Sequence, residues 1–309
     1  MSKYSIHKEI TWLKFLTLPA SPVIIPPVNA VLKTLHTLTR TDSDLNEQHI
    51  KLNTNDDESI RLTIYSPKIV SKTTPCLIYL YGSAYFMTPN YHHKKWAMIY
   101  AREARCKVVF VNYSLSPAHP FPTPFLDCYQ AAEWVFDHAE RLNIDPDRIA
   151  VGGDSSGGAL AASVSIMRRD LGLKNFCFQF LIYPVTDGKM NSPSMIKFSD
   201  TPLWTSKLNK MMWSLYIKDP KDLDNKFAAP MEAVDFSSLP DAYIEVCEFD
   251  PLRDEGLLYA DELNKAGIKT EVSLVPGAIH GFDMMMNTSL MEVAENRRIA
   301  ALKAAFSVN

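Results

Sequence analysis

No stretch of this 309-residue chain gathers lysine and arginine into a basic stripe, and the formal charge is only -3. Nucleic-acid binding relies on neutralising phosphates, so a polyanion partner is not expected. Cysteine is sparse and unpatterned. Cys76, Cys106, Cys128, Cys177 and Cys247 are odd in number, lie mostly in apolar runs, and form neither a Cys-x-x-Cys pair nor metal-like spacing. They read as buried thiols in a reducing compartment, with no metal site. An uninterrupted apolar run of membrane length is missing too: residues 15–31 are broken by Pro19, Pro22, Pro26 and Pro27, with Lys8, Glu9 and Lys14 before them. That makes a poor signal peptide and a poor span, so the chain is expected to be cytoplasmic, without stable membrane insertion. Internal repeats and low-complexity tracts are absent as well.

An apolar share of 47% is enough for a sizeable core, in one large α/β domain or two small ones. Strand patterns recur near 47–53, 59–65, 75–81, 106–113, 148–153, 177–183, 241–248 and 269–275. The first two alternate apolar and polar residues. Leu77 to Leu80 and Val108 to Val111 are continuous apolar runs, expected of strands buried on both faces. Helical patterns over 92–104, 124–141, 155–169, 254–266 and 289–306 alternate with those strands, which predicts a mostly parallel sheet with helices around it.

Two segments stand outside that alternation. Residues 1–40 predict two helices about a proline-rich bend. Ile6, Ile10 and Leu13 share a face of the first; Val28, Val31, Leu32, Leu35 and Leu38 line the second. Between Pro184 and Phe227 a polar, turn-rich stretch is followed by Leu208, Met211, Met212, Leu215 and Tyr216 at helical spacing. Such a helix either completes the core or joins the N-terminal helices in a lid over the strand ends.

The chemistry concentrates in Arg148-Ile149-Ala150-Val151-Gly152-Gly153-Asp154-Ser155-Ser156-Gly157-Gly158, a strand running through a tight turn into a small-residue helix. A Gly-x-Ser-x-Gly match alone is weak, but here Gly153 and Gly157 would let strand and helix approach closely around a strained serine. A phosphate-binding turn is the plainer alternative, disfavoured because the Walker lysine and the dinucleotide spacing are both missing. Ser155 is therefore the candidate nucleophile. The N–H of Ser156 at the helix start can stabilise an oxyanion.

A serine nucleophile needs a base and a carboxylate to orient it. Of eight histidines, His280 sits best, in a glycine-flanked loop after the last strand; His119, in His-Pro-Phe-Pro, is its rival. His92 and His93 open a helix and read as solvated or capping. Asp250 follows the strand ending at Cys247, with Asp254 and Glu248 as alternatives, Asp254 falling in a first helical turn. The order Ser155, Asp250, His280 is that of α/β-hydrolases.

From about residue 60 onward the chain resembles the hormone-sensitive lipase family of α/β-hydrolases. The likeness rests on Asn112-Tyr113-Ser114-Leu115-Ser116-Pro117 through His119-Pro120-Phe121-Pro122, Asp145-Pro146-Asp147-Arg148-Ile149, the Gly-Asp-Ser-Ser-Gly-Gly elbow, Leu181-Ile182-Tyr183-Pro184, Asp250-Pro251-Leu252-Arg253-Asp254 and His280-Gly281-Phe282. The resemblance implies a single α/β-hydrolase domain over 1–309, an eight-stranded, mostly parallel sheet with helices on both faces, and a helical cap formed by 1–45 and about 186–226. It makes His119 structural. One departure is clear: the family's His-Gly-Gly-Gly is replaced by Tyr81-Gly82-Ser83-Ala84. The donors in that motif are backbone N–H groups, so the resemblance implies an oxyanion hole from Ser83, Ala84 and Ser156.

The expected activity is hydrolysis of short- to medium-chain carboxylic esters through an acyl-enzyme, with no cofactor. Tyr85, Phe86, Trp204, Met212 and Phe282 are candidates for an apolar substrate pocket, beside Met87, Trp213 and the run Met284 to Met286. A small-molecule ester is the expected partner, and a homodimer is left open. Two alternatives remain: a non-catalytic receptor on a hydrolase scaffold, suggested by the altered oxyanion segment, and an amidase or deacetylase.

Overall fold

The computed structural model describes residues 3–16, 19–54, 58–69 and 73–307. Eight strands form one sheet: β1 (Leu45–Asn53), β2 (Ser59–Pro67), β3 (Thr74–Leu80), β4 (Lys107–Asn112), β5 (Ile144–Asp154), β6 (Phe178–Ile182), β7 (Ala242–Phe249) and β8 (Thr270–Ile279). Their spatial order is β1-β2-β4-β3-β5-β6-β7-β8. The alternating strands β1 and β2 pair antiparallel at one edge, and every pairing from β4 to β8 is parallel. The apolar runs foreseen as doubly buried lie side by side, Leu77 opposite Val108 and Leu80 opposite Val111, all fully buried.

Eight α-helices accompany the strands among the described residues: α1 (Ile25–Leu38), α2 (Tyr91–Glu103), α3 (Thr123–Asp137), α4 (Ser156–Asp170), α5 (Pro193–Lys197), α6 (Ser206–Tyr216), α7 (Arg253–Lys265) and α8 (Ser289–Phe306). Helix α4 packs on β3, β5 and β6 with α3 alongside, while Arg298 of α8 lies over the Trp96 ring of α2 at 4.5 Å. Among the described residues no helix is long and apolar enough to cross a membrane.

Several expectations need correction. The first N-terminal helix is a 3-10 helix, Lys8–Phe15, pinned at its start by the His7 N–H on the Gly277 carbonyl; residues 1, 2, 17 and 18 of the 1–45 stretch lie outside the described residues. Helix α3 stops at Asp137 rather than 141, because the chain turns through His138, whose ring stacks on Trp134, to enter β5. The apolar stripe of α1 does not pack as a whole: Val28 and Leu32 are half-buried, but Val31, Leu35 and Leu38 are exposed. The stripe on α6 does pack, with Leu208, Met211, Met212, Leu215 and Tyr216 all buried.

Candidate active site

The turn from β5 into α4 holds Ser155 at φ 54 and ψ -122, a strained conformation for a residue with a side chain. Crowding makes the flanking glycines obligatory. A Cβ on Gly153 would stand 2.1 Å from the Leu80 carbonyl oxygen, and one on Gly157 would stand 1.9 Å from the same atom. Ser155 is thus lifted to the rim of the sheet at the N-terminus of α4. Its neighbour Ser156 is the first helical residue, whose N–H has no intrahelical acceptor.

Register brings the other two groups together. Phe249, the last residue of β7, pairs with Ile279, the last of β8, so Asp250 and His280 leave the sheet side by side. His280 Nδ1 lies 2.8 Å from Asp250 Oδ2, and His280 Nε2 lies 2.9 Å from Ser155 Oγ. All three residues are buried, Asp250 completely. Asp250 also accepts the Leu252 N–H, which fixes its carboxylate. Such a relay can take a proton from the hydroxyl and stabilise the resulting imidazolium. The alternatives are engaged elsewhere: Glu248 accepts the Gly277 N–H, Asp254 accepts the Ser194 N–H from the first turn of α7, and His119 lies 3.7 Å from Glu58 at the surface.

The loop after β3 reaches the elbow from the opposite side. Ala84 takes φ 50 and Tyr85 φ 60, the left-handed backbone that a glycine-rich segment would adopt freely. Tyr81 stacks between Phe110 and Tyr113. The Ser83 N–H, however, donates to Ser156 Oγ at 3.0 Å, while Ser83 Oγ meets the Tyr113 hydroxyl at 2.7 Å. Of the three backbone donors foreseen, Ser83 therefore already has an acceptor inside the protein.

Ser155, His280, Gly82 and Ala84 open into a cavity of about 320 Å³. Its walls are mainly apolar: Leu16, Val28, Leu32, Met87, Leu203 and Met284, with Trp204 and Tyr183 near His280. Of the pocket residues foreseen, Met87, Trp204 and Met284 line it. Phe86 lines a small adjoining void, Tyr85 stacks at 3.6 Å on Tyr216, and Met212 and Phe282 are fully buried core. Apolar bulk singled these residues out, but bulk is equally a core property. Among the described residues no cluster of His, Cys, Asp and Glu is placed to hold a metal.

A family model described as an alpha/beta hydrolase fold matches residues 77–284. The chain belongs to the hormone-sensitive lipase family of α/β-hydrolases. It is 34% identical over 251 residues to carboxylesterase NlhH of Mycobacterium tuberculosis, covering 80% of this chain and 78% of that protein. An arylesterase of Saccharolobus solfataricus is 35% identical over 233 residues, 74% of each chain. Among solved structures, a bacterial heroin esterase superposes with a TM-score of 0.91 at 30% identity, covering 98% of this chain and 99% of the other.

Within this hydrolase fold, two buried polar groups support the site without having been foreseen. Arg298 of α8 binds both Glu245 and Asp283, and Asp283 accepts the Tyr183 hydroxyl at 2.6 Å. Tyr183 in turn stands edge-on to the His280 ring, 4.8 Å between centroids. The signal was present in α8, where Arg298 falls on the buried face between Ala294 and Leu302. The second group ties the elbow to α2. His93 lies 3.4 Å from Asp154, and the Tyr79 hydroxyl donates to the same carboxylate. Burial by itself would raise the Asp154 pKa, but His93 and the Tyr79 hydrogen bond outweigh it and hold the carboxyl below its usual range. His93 also closes a capping box with Asn90, so it is a cap as expected, though buried rather than solvated.

Proposed function

We propose that this carboxylic ester hydrolase cleaves short- to medium-chain esters through an acyl-enzyme on Ser155. His280 Nε2 takes the Ser155 proton as Oγ attacks the ester carbonyl. Asp250 holds the ring through Nδ1 and stabilises its charged form. The backbone N–H groups of Ala84 and Ser156 receive the oxyanion, with Ser83 as a third donor only if it leaves Ser156 Oγ. The alcohol departs with the proton from His280, and water, activated by the same ring, releases the acid.

The observation that carries this reading is the unbroken hydrogen-bond chain from Asp250 through His280 to Ser155. Esterase relatives and the apolar cavity support an ester with an uncharged acyl or alcohol group. We read residues 1–45 and about 186–226 as the cap, because Leu16, Val28 and Leu32 from the first and Leu203 and Trp204 from the second line that cavity together. A cytoplasmic, reducing setting is supported by five free thiols, of which Cys76, Cys106, Cys128 and Cys247 are buried.

The test is hydrolysis of p-nitrophenyl acetate and butyrate by wild type and Ser155→Ala, together with fluorophosphonate labelling. Turnover and labelling that both vanish in the variant are expected. Equal rates, or a wild type that resists the probe, would return the scaffold to a receptor role.

A further inference from the structure

The N-terminal segment is double-sided. Val28 and Leu32 of α1 line the cavity, whereas Val31, Leu35 and Leu38, at the adjoining three- and four-residue steps of the same helix, are exposed. Leu16 belongs to both surfaces: it lines the cavity and is 46% exposed, so the mouth opens beside it. Phe15, next to it, is 78% exposed and Val23 81%. Seven of the seventeen large apolar residues exposed on the described molecule fall between residues 12 and 38. Apolar side chains scattered singly are ordinary; seven in one segment, of which Leu16 also lines the cavity, mark an interaction surface.

Charge selects the partner. Residues 1–40 carry Lys3, Lys8, Lys14, Lys33 and Arg40 against Glu9 alone, in a chain whose total is -3. Lys3 pairs with Asp200, and Glu9 accepts hydrogen bonds from Ser289. Lys8, Lys14, Lys33 and Arg40 are exposed and form no ion pair with another described residue. Basic residues in the same segment as an exposed apolar flank are the composition of one that lies in the interface of an anionic bilayer.

We propose that this segment docks the protein on an anionic lipid surface, with the cavity mouth turned toward the acyl chains. The docking is peripheral, through side chains of α1 and the 3-10 helix. A lipid leaves the mouth supplied with apolar molecules, whereas a protein seated on the same residues would close it. The proposal does not depend on Ser155 chemistry, since binding is read without turnover.

Sedimentation with phosphatidylcholine vesicles, and with vesicles of phosphatidylcholine mixed with phosphatidylglycerol, tests it. Wild type is expected to bind the anionic vesicles at least roughly tenfold more tightly than the neutral ones, several cations each favouring the charged surface. Leu35→Asp/Leu38→Asp and Lys14→Glu/Lys33→Glu should each lose roughly tenfold or more of that binding. Both should keep wild-type turnover of soluble p-nitrophenyl acetate, which shows that they fold. Wild type that stays in the supernatant with both vesicles, or variants that bind as wild type does, would overturn the proposal. So would light scattering in which a wild-type dimer becomes a monomer in Leu35→Asp/Leu38→Asp, since the face would then belong to a second copy.

Discussion

The Ser83 N–H donates to the Ser156 side chain at 3.0 Å, tying the loop after β3 to the residue that follows the nucleophile. Both residues are buried, so the bond is worth about 1 kcal/mol of stability. It also occupies a donor that an oxyanion would otherwise use. Ser156→Ala should therefore lower the Tm slightly while raising kcat, by up to about a hundredfold, because one recovered donor is worth about 3 kcal/mol at most. Steady-state kinetics on p-nitrophenyl butyrate with a thermal melt decide it. A fall in both quantities would show that the tie positions the loop instead.

Arg298 is fully buried between two carboxylates, Glu245 and Asp283. Arg298→Met would leave both without their cation, a loss on the order of 3 to 5 kcal/mol, visible as a Tm drop on the order of 10 °C. Adding Glu245→Gln and Asp283→Asn should recover part of that loss, because the cost lies in unpaired buried charge. Urea denaturation of the single and triple variants compares the two. A triple variant less stable than the single one would mean that the carboxylates hold the fold through hydrogen bonds alone.

The sequence made the relay legible because each member sits in a short contiguous motif at a strand end, where local pattern and tertiary place coincide. Ser155 lies between glycines that a Cβ would make impossible, and Asp250 and His280 follow strands recognisable by their apolar runs. The pocket was not legible in that way. Tyr85 and Leu16 are both large and apolar in the sequence; only the packed structure shows that Tyr85 is spent on Tyr216 and Leu16 on the cavity. The same holds for α1, where spacing groups Val28 with Val31 but cannot say which edge of the stripe turns to the cavity. Backbone donors lie further still from sequence, since nothing in Tyr-Gly-Ser-Ala shows that Ser83 turns toward residue 156.

Acid should destabilise the fold through two histidines outside the relay. Burial pushes the His36 pKa down to about 4, helped by the nearby Lys94 charge, and burial holds His92 well below the ordinary value. Both are bases whose folded pKa lies below the unfolded value of about 6.5. Below that pH the unfolded chain binds protons that the fold refuses, so stability falls as pH falls. Their contribution is complete above about pH 6.5 and is lost progressively toward about 4 for His36. A lower Tm at pH 5 than at pH 7.5 is expected. His36→Phe, which cannot charge, should narrow that gap; an unchanged gap would clear His36 of the effect.

Chain-length preference should follow the wall that α1 contributes. Leu32 lines the cavity from a half-buried position, so a larger side chain there can fill cavity volume without breaking the sheet core. Leu32→Trp should spare p-nitrophenyl acetate and penalise octanoate, because the far methylenes lose their apolar site at about 0.8 kcal/mol each. With several methylenes displaced, the octanoate-to-acetate ratio of kcat/KM should fall on the order of tenfold to a hundredfold. Ala30→Trp, on the exposed face of the same helix, serves as the control for helix stability and should leave the ratio unchanged. If both variants shift the ratio alike, the acyl chain does not occupy the space beside Leu32, and the walls formed by Leu203, Trp204 and Met284 become the determinants to vary.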